Sequence, residues 1–170
     1  MCGIVGFVNN KENKEKIIKD MSKKIEHRGP DGEGFYIDDN CALAHRRLAI
    51  IDLNTGAQPI YNEDKSKVII YNGEVYNFKE LKEALLKKKH VFKTKTDTEV
   101  ILHGYEQWGE KLPNHLRGMF SFAIWDKNKN ELFMARDGFG IKPLYYAKFN
   151  DTFMFASEPK AFLANPDFEK

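Results

Sequence analysis

The residue of this sequence best suited to covalent chemistry is Cys2, which directly follows the initiator methionine. Removal of Met1 would leave Cys2 with both a thiol and a free α-amino group. The thiolate is a nucleophile near neutral pH, and an α-amino group with a pKa of about 7.7 can accept the thiol proton directly or through water. Such a cysteine needs no histidine as its base. The alternative interpretation is a small apolar residue that opens a buried strand.

Metal chemistry is not expected from the second cysteine or from the histidines. Cys41 lies in an apolar segment and is interpreted as a buried strand residue. The two cysteines form no CxxC pair and no Cys/His cluster with metal-like spacing. The five histidines, which show no HExxH motif or paired spacing, are His27, His45, His90, His103 and His115. We interpret them as structural or surface residues and expect neither a metal nor a cofactor in this chain.

The composition is that of an ordinary globular domain. The 170 residues, 42% hydrophobic and 31% charged, predict one domain over residues 1–170 with a core that needs no disulfides. Twenty-seven Lys+Arg against 25 Asp+Glu leave a net charge of +2, too small to indicate nucleic acid or an anionic membrane as a partner. No apolar run suggests a signal peptide or a membrane-spanning helix, so we expect a cytoplasmic protein with reduced thiols.

Apolar runs bounded by turn residues predict nine short strands. They are expected at 4–8, 34–37, 41–45, 48–51, 68–71, 119–125, 132–135, 144–149 and 153–156. The run at 119–125 is apolar at every position but one, so both faces of its sheet should be covered. Asn72-Gly73, which follows the run at 68–71, is ordinarily a hairpin signal.

Three amphipathic helices are expected between the strands. The first has Ile17, Ile18, Met21 and Ile25 on one face. In the second, Asn77 is the expected N-cap of an apolar stripe formed by Phe78, Leu81 and Leu85. The third spans about 98–108, begins after Asp97 and stops at Gly109. Strands, then helices, then strands again favour an α+β fold over a regular βαβ alternation.

A series of short motifs runs in order along nearly the whole chain. They are MCGIVG at 1–6, HRGPDG at 27–32, AHRRL at 44–48, GAQP at 56–59, YNGEVYN at 71–77, TDTE at 96–99, GMFSFA at 118–123 and SEPKA at 157–161. Together they resemble the N-terminal glutaminase domain of class II glutamine amidotransferases, the N-terminal-nucleophile type. Within this group the chain is most similar to the domain of glutamine-hydrolysing asparagine synthetases.

Two other branches of that superfamily begin with similar strings. Glucosamine-6-phosphate synthase and amidophosphoribosyltransferase also start with Cys-Gly-Ile-type sequences. The loop HRGPDG at 27–32 resembles the asparagine synthetase pattern, whereas the sugar enzyme would read closer to Tyr-Arg-Gly-Tyr-Asp-Ser.

The resemblance implies a fold and a reaction. The fold would be a four-layer αββα sandwich of two mainly antiparallel sheets, the N-terminal-nucleophile hydrolase fold. We expect a few more residues, with one or two strands, to complete it beyond Lys170. The reaction would be hydrolysis of the side-chain amide of L-glutamine to glutamate and ammonia, through a γ-glutamyl thioester on Cys2.

The resemblance also implies which residues form the site. The catalytic residues would be Cys2, with Asn72 and Gly73 as the oxyanion hole. The glutamine-binding residues would be Arg47, Leu48, Ile50, Ile51, Asn72, Gly73, Glu74 and Asp97. Arg47 would hold the α-carboxylate, while its strand neighbour Arg46 should point the other way. Asp97 and Glu74 would hold the α-ammonium, although Asp97 is equally well interpreted as the cap of the third helix.

In relatives of this type the ammonia is used by a second domain that amidates aspartate to asparagine with ATP and Mg²⁺. That synthetase domain, and its phosphate-binding motif, are not expected within these 170 residues. The resemblance leaves homodimerisation open. Two alternatives also stay open: the glutaminase half of an enzyme with another acceptor, such as amidophosphoribosyltransferase, and a glutamine-binding module that is silent because Met1 is retained.

Overall fold

Two antiparallel sheets form the centre of the fold in the computed structural model, which describes residues 1–9, 12–48, 56–166 and 168. The strands are β1 Gly3–Val8, β2 Gly32–Ile37, β3 Cys41–Arg47, β4 Ile60–Tyr61, β5 Lys67–Val75, β6 Gly118–Asp126, β7 Glu131–Arg136, β8 Tyr145–Phe149 and β9 Thr152–Ala156. One sheet has the order β2-β3-β1-β9-β8, and the other has the order β4-β5-β6-β7.

Three helices cover the outer faces of the sheets. They are α1 Lys14–Lys24, α2 Phe78–Lys87 and α3 Asp97–Trp108, with short 3-10 turns at Glu26–Arg28, Gly109–His115 and Pro159–Ala164. Among the described residues, none of the helices combines the length and the apolar character that a membrane crossing requires.

The alternation of side chains along each strand divides the core into three apolar layers. From β1, Val5 and Phe7 pack outward against α1, whereas Ile4 packs inward against the second sheet. From β5, Ile69 packs outward against α2 and α3, whereas Ile70 packs inward. The order is therefore helix, sheet, sheet, helix. This confirms the predicted α+β class and the αββα sandwich.

The predicted strands agree with the structure except around residues 48–73. Strand β3 continues to Arg47, and Leu48 lies after its end. The rest of the predicted strand at 48–51 lies outside the described residues. Asn72-Gly73 is not a hairpin: both residues lie inside β5 and pair with Ser121 and Phe120 of β6. The long antiparallel partner, far away in the sequence, outweighs the local turn preference.

Both predicted helix caps differ in detail from the expectation. Asn77 does occupy the N-cap position of α2, but its side chain makes no capping bond. It instead donates from Nδ2 to the carbonyl of His115 and accepts from the backbone N–H of Arg117, at 2.9 Å each. The N-cap of α3 is Thr96, so Asp97 is the first helical residue and not the cap.

The contribution of the inner apolar layer to stability can be measured at Phe155. Phe155 is 0% exposed and fills the space over Gly6 and Leu43 between the sheets. We expect Phe155→Ala to lower the free energy of unfolding by about 4 kcal/mol, since it removes buried area and leaves a cavity. Urea denaturation measures this change. The matched control is Phe139→Ala, at a ring 96% exposed, which should stay within about 0.5 kcal/mol of the parent. Equal losses in the two variants would contradict the assignment of the core.

Candidate active site

Cys2 stands at the entrance to β1, half-buried beside the end of β3. The backbone N–H of Leu48 donates to its Sγ at 3.4 Å, and the thiol lies 3.8 Å from the carbonyl oxygen of Leu48. The residue after the strand therefore fixes the position of the sulfur.

The backbone around Cys2 is held from the other side by the C-terminal part of the chain. Ile4 donates its N–H to Ser157 Oγ at 3.0 Å and accepts from the N–H of Ser157 at 2.8 Å. Arg28 donates from Nε to the carbonyl of Cys2 at 3.1 Å. Its Nη1 donates to Glu158 Oε1 at 3.0 Å. The start of β1 is thus fixed through one arginine and two consecutive residues after β9.

Glu158 has three hydrogen-bonding partners at this point. His27 Nε2 lies 2.9 Å from Oε1, and Lys160 Nζ lies 3.1 Å from Oε2, in addition to Arg28. Burial alone would raise the pKa of Glu158, but the hydrogen bonds from His27, Arg28 and Lys160 outweigh it and lower the pKa to about 2. Glu158 is therefore ionised at neutral pH and keeps Arg28 directed at Cys2.

Toward the end of the molecule where β1 begins, the layer between the two sheets becomes polar. Three buried polar side chains lie there: His45 on β3, Asn72 on β5 and Ser121 on β6. Each is two positions from an inward-facing core residue of its own strand, and so shares that residue's face. These core residues are Leu43, Ile70 and Ala123. Cys2 likewise lies two positions from an inward-facing residue, Ile4 of β1, and β1 packs against β5.

Each of these three side chains has an unsatisfied polar atom. Within the described part of the chain, His45 Nε2, Asn72 Nδ2 and Ser121 Oγ are buried without a hydrogen-bond partner. An unmet buried donor costs about 1 to 3 kcal/mol, so an oxygen that reaches Asn72 Nδ2 would be bound favourably. Burial lowers the pKa of His45 to about 4, so its imidazole is neutral at pH 7.

The backbone N–H of Gly73 points away from β6. Just beyond the two ends of the pairing between β5 and β6, the backbone N–H of Tyr76 donates to the carbonyl of Arg117, and that of Lys127 donates to the carbonyl of Ser66. Hydrogen-bonded pairs recur at every second residue of an antiparallel pair, so in β5 they fall on the even-numbered residues. Gly73 belongs to the alternate set, whose N–H groups face the β4 side. A Cβ at position 73 would lie 2.3 Å from the carbonyl oxygen of Met119, so only glycine fits here.

The two neighbouring N–H groups on that side of β5 have partners. Tyr71 donates its N–H to Gln58 Oε1 at 2.6 Å, and Val75 donates its N–H to Asp97 Oδ2 at 3.0 Å. Gly73 lies between them, beyond the end of β4. Its N–H and the amide of Asn72 are therefore two adjacent donors at the edge of the site.

Asp97 attaches the start of α3 to β5. Its Oδ2 accepts from Tyr71 Oη at 2.7 Å as well as from the N–H of Val75. Burial, together with the nearby Asp97 carboxylate, raises the pKa of Tyr71, so the hydroxyl remains a donor. Glu74 is exposed on β5, on the same strand face as Asn72.

Arg47 and Arg46 diverge at the end of β3, as the alternation predicts. Arg46 faces α1, and its Nε donates to Ser22 Oγ of that helix at 2.8 Å. Its Nη2 pairs with Glu33 of the neighbouring strand β2 at 2.8 Å. Arg47 lies on the opposite face, half-buried, and a Cβ at Gly56 would come within 2.8 Å of its Nη2. The segment at Gly56 therefore covers this guanidinium closely.

The structure describes most but not all of the predicted site residues. Leu48 contacts Cys2 Sγ, and Asn72 and Gly73 lie at the polar end of the inter-sheet layer. Arg47 ends β3 and Glu74 follows Gly73, whereas Asp97 is bonded to Tyr71 and Val75 of β5. Ile50 and Ile51 lie outside the described residues, so their role stays a prediction. Sequence reasoning missed the supports of Cys2 and Tyr71, which are Arg28, Ser157, Glu158 and Gln58. All four lie inside the quoted motifs, and that was the available signal.

Comparison with known proteins decides the family. The sequence profile described as "Glutamine amidotransferase domain" matches residues 1–170. The chain belongs to this family of glutamine amidotransferase domains. Its predicted family resemblance is confirmed.

The amidotransferase domain is similar to the N-terminal parts of several longer enzymes. It is 48% identical over 171 residues to asparagine synthetase [glutamine-hydrolyzing] 2 of Bacillus subtilis, covering 98% of this chain and 23% of that protein. It is 47% identical over 175 residues to asparagine synthetase [glutamine-hydrolyzing] 1 of the same species, covering 99% and 28%. For asparagine synthetase [glutamine-hydrolyzing] 3 of Arabidopsis thaliana the identity is 46% over 165 residues, covering 95% and 28%. The domain thus spans about a quarter of the length of these relatives.

A solved structure shows the same fold at low identity. Glutamine phosphoribosylpyrophosphate amidotransferase from B. subtilis, complexed with ADP and GMP, matches with a TM-score of 0.80 and 23% identity. The match covers 96% of this chain and 43% of that one. The αββα sandwich of the amidotransferase domain is therefore shared with that enzyme.

The charge on Glu158 should make the stability of the domain depend on pH. Its folded pKa of about 2 lies below the ordinary value of 4.5, so the carboxylate stabilises the fold above pH 4.5. This contribution is lost as the pH falls from 4.5 toward 2. We expect Glu158→Gln to flatten this part of the profile, measured by urea unfolding at a series of pH values. Glu80→Gln, at an exposed glutamate of α2, is the matched control and should leave the wild-type slope. If the free energy of unfolding of Glu158→Gln depended on pH as that of the wild type does, the contacts of Glu158 with His27, Arg28 and Lys160 would not be what stabilises this site.

Proposed function

We propose that the domain hydrolyses the side-chain amide of L-glutamine to glutamate and ammonia, with Cys2 as the nucleophile. The observation that carries this proposal is the buried Nδ2 of Asn72, which has no acceptor among the described residues and shares the inter-sheet face with Cys2. The adjacent N–H of Gly73 supplies a second donor. Membership of the amidotransferase family and the similarity to glutamine-hydrolysing enzymes support the assignment of glutamine as the substrate.

The first bond forms between Cys2 Sγ and the carboxamide carbon of glutamine. As it forms, the carbonyl electrons move to oxygen, and the amide of Asn72 and the N–H of Gly73 stabilise the resulting negative charge. Both donors are in place before the reaction, which is what oxyanion stabilisation requires. Asn72 contributes most in the transition state, when its donor gains a charged acceptor.

Proton transfers accompany the attack of Cys2 and the steps that return the enzyme to its starting state. The α-amino group of Cys2, free once Met1 is removed, takes the thiol proton and passes a proton to the departing nitrogen. The C–N bond breaks, ammonia leaves, and the thioester remains on Cys2. Water then adds to the thioester, which releases glutamate and restores the thiol. His45 is not assigned as the base, because burial lowers its pKa to about 4 and makes its imidazole a weak proton acceptor.

Recognition of the amino-acid end of glutamine falls to the rim of the site. Arg47 offers a planar guanidinium for two parallel hydrogen bonds to the α-carboxylate. Asp97 and Glu74 bind the α-ammonium; since Oδ2 of Asp97 already accepts two bonds, its Oδ1 meets the ligand. Contacts with the aliphatic part of glutamine are assigned to Leu48, Ile50 and Ile51, the last two from the family resemblance alone.

The ammonia produced here is used elsewhere in the whole protein. The similarity to asparagine synthetases supports a synthetase domain in which ATP and Mg²⁺ activate aspartate for conversion to asparagine. This chain itself uses no metal or cofactor for hydrolysis. A cytoplasmic location, where glutamine and ATP are available, belongs to the same proposal.

Covalent labelling with a diazoketone analogue of glutamine tests nucleophile and substrate class together. Such a reagent alkylates an activated nucleophile held at a glutamine site. We expect one adduct per chain in the intact mass spectrum of protein that has lost Met1. The adduct should disappear in Cys2→Ala protein, disappear with excess glutamine, and persist in Cys41→Ala protein.

The same spectra distinguish the alternatives. Protein that retains Met1 should give no adduct, because its α-amino group is blocked. An adduct on Cys2→Ala protein, or normal glutamine hydrolysis by that variant, would overturn the proposed mechanism. Processed protein that gives no adduct and is not stabilised by glutamine against heat would overturn the assignment of the substrate.

Asn72 and Arg47 should affect different kinetic constants. Asn72→Ala removes an oxyanion donor, so we expect kcat for glutamine hydrolysis to fall about 100-fold to 1,000-fold with little change in KM. Arg47→Ala removes a charged ground-state contact, so KM should rise by about 100-fold or more. Asn128→Ala, in the exposed turn after β6, is the control. Loss of binding in Asn72→Ala with normal kcat would contradict its role at the oxyanion.

A further inference from the structure

A second cluster of polar side chains lies between α3 and the segment that follows α2. His103 and Glu106 are one turn apart on this helix, and His90 lies just after α2. Within the described residues, these three form a group whose potential ligand atoms all lie within 4.8 Å of one another. Glu106 Oε2 lies 2.8 Å from His103 Nδ1 and 3.5 Å from His90 Nδ1. Two imidazole nitrogens therefore converge on one carboxylate oxygen.

The geometry points to a binding site for a single divalent cation of the Zn²⁺ type, formed by His90 Nδ1, His103 Nδ1 and Glu106 Oε2. Imidazole nitrogen and carboxylate oxygen bind zinc at about 2.0 to 2.2 Å, which places tetrahedral ligands about 3.3 Å apart. The two measured separations, 2.8 and 3.5 Å, lie on either side of this value. Two histidines and one carboxylate are a ligand set that Zn²⁺ and related borderline cations prefer.

A second layer of contacts holds Glu106 and His103 in this arrangement. Asn62 Nδ2 donates to Glu106 Oε1 at 2.8 Å, which leaves Oε2 directed at the histidines. The ring of His103 packs edge-on against Phe92, with centroids 4.7 Å apart. Fixed outer contacts of this kind orient metal ligands and are part of a metal site.

The second ring nitrogen of His103 faces carboxylates. Its side chain is 2% exposed, and Nε2 has no hydrogen-bond partner in the described structure. A cation on Nδ1 would require the ring proton to sit on Nε2. That N–H would then face carboxylate oxygens of Glu63 and Glu99, each 3.7 Å away. A metal-bound histidine whose second nitrogen faces a carboxylate is a recurrent arrangement in zinc sites.

The cluster is also accessible to a cation. His90 and Glu106 keep 16% and 18% of their side-chain surface, so one edge of the triangle reaches solvent. The fourth ligand would be water. Because His90 belongs to the segment between α2 and α3, a bound cation would attach this segment to the helix that begins with Asp97.

Metal titration of the untagged domain tests this site. The probes are Zn²⁺, followed by calorimetry, and Co²⁺, followed by visible absorption, each added to chelator-treated protein with Cys2→Ala as background. We expect one ion per chain and Co²⁺ d–d bands with no thiolate charge-transfer band. Zn²⁺ at a hundred-fold excess over Kd should raise Tm by about 5 to 10 °C.

Three variants decide which residues hold the ion. His90→Ala and Glu106→Gln should weaken binding by about 100-fold or more, and circular dichroism checks that each is folded. His115→Ala is the matched control, since this exposed histidine stacks on Trp108 and lies outside the cluster. Absence of saturable binding, equal affinity in His90→Ala and His115→Ala, or a thiolate band would each overturn the proposal.

Discussion

The side-chain alternation of β5 is the constraint on which the candidate site depends. Successive residues of a strand face opposite sides, and successive N–H groups leave opposite edges. The side chain of Asn72 must therefore face the inner layer, whereas the backbone N–H of Gly73 must point away from β6. A shift of one residue in the pairing with β6 would bury Gly73 on the inside and turn the amide of Asn72 toward the helices. The inner apolar residues of both sheets prevent that shift.

The position of Cys2 depends on a different type of restraint. The start of β1 is ordered by its contacts with other elements. Here β1 is the central strand of its sheet, between β3 and β9. The residue before it is held by Leu48 at the sulfur and by Arg28 at the carbonyl. Pairing on both edges thus gives a chain terminus the rigidity that a nucleophile needs.

Local patterns in the sequence predicted the secondary structure well, but they did not predict contacts between residues that are far apart in the sequence. Apolar periodicity placed β6 and its two covered faces, because both signals lie within one run of residues. The turn preference of Asn72-Gly73 was overridden by a partner strand more than 40 positions away in the sequence. Asp97 was ambiguous for the same reason, since its partners Tyr71 and Val75 lie on another element. The motifs named the site residues, but not which supports hold them.

The order of synthesis has a consequence for how the N-terminus is processed. Two of the groups that fix the start of β1, Ser157 and Glu158, are more than 150 residues away and leave the ribosome long after the first residues do. Strand β9, which closes one edge of β1, also comes late. Until then the first residues lack these restraints and stay open to an aminopeptidase. Met1, which is still 53% exposed in the folded domain, can thus be removed before the strand and ion pairs that position Cys2 have formed.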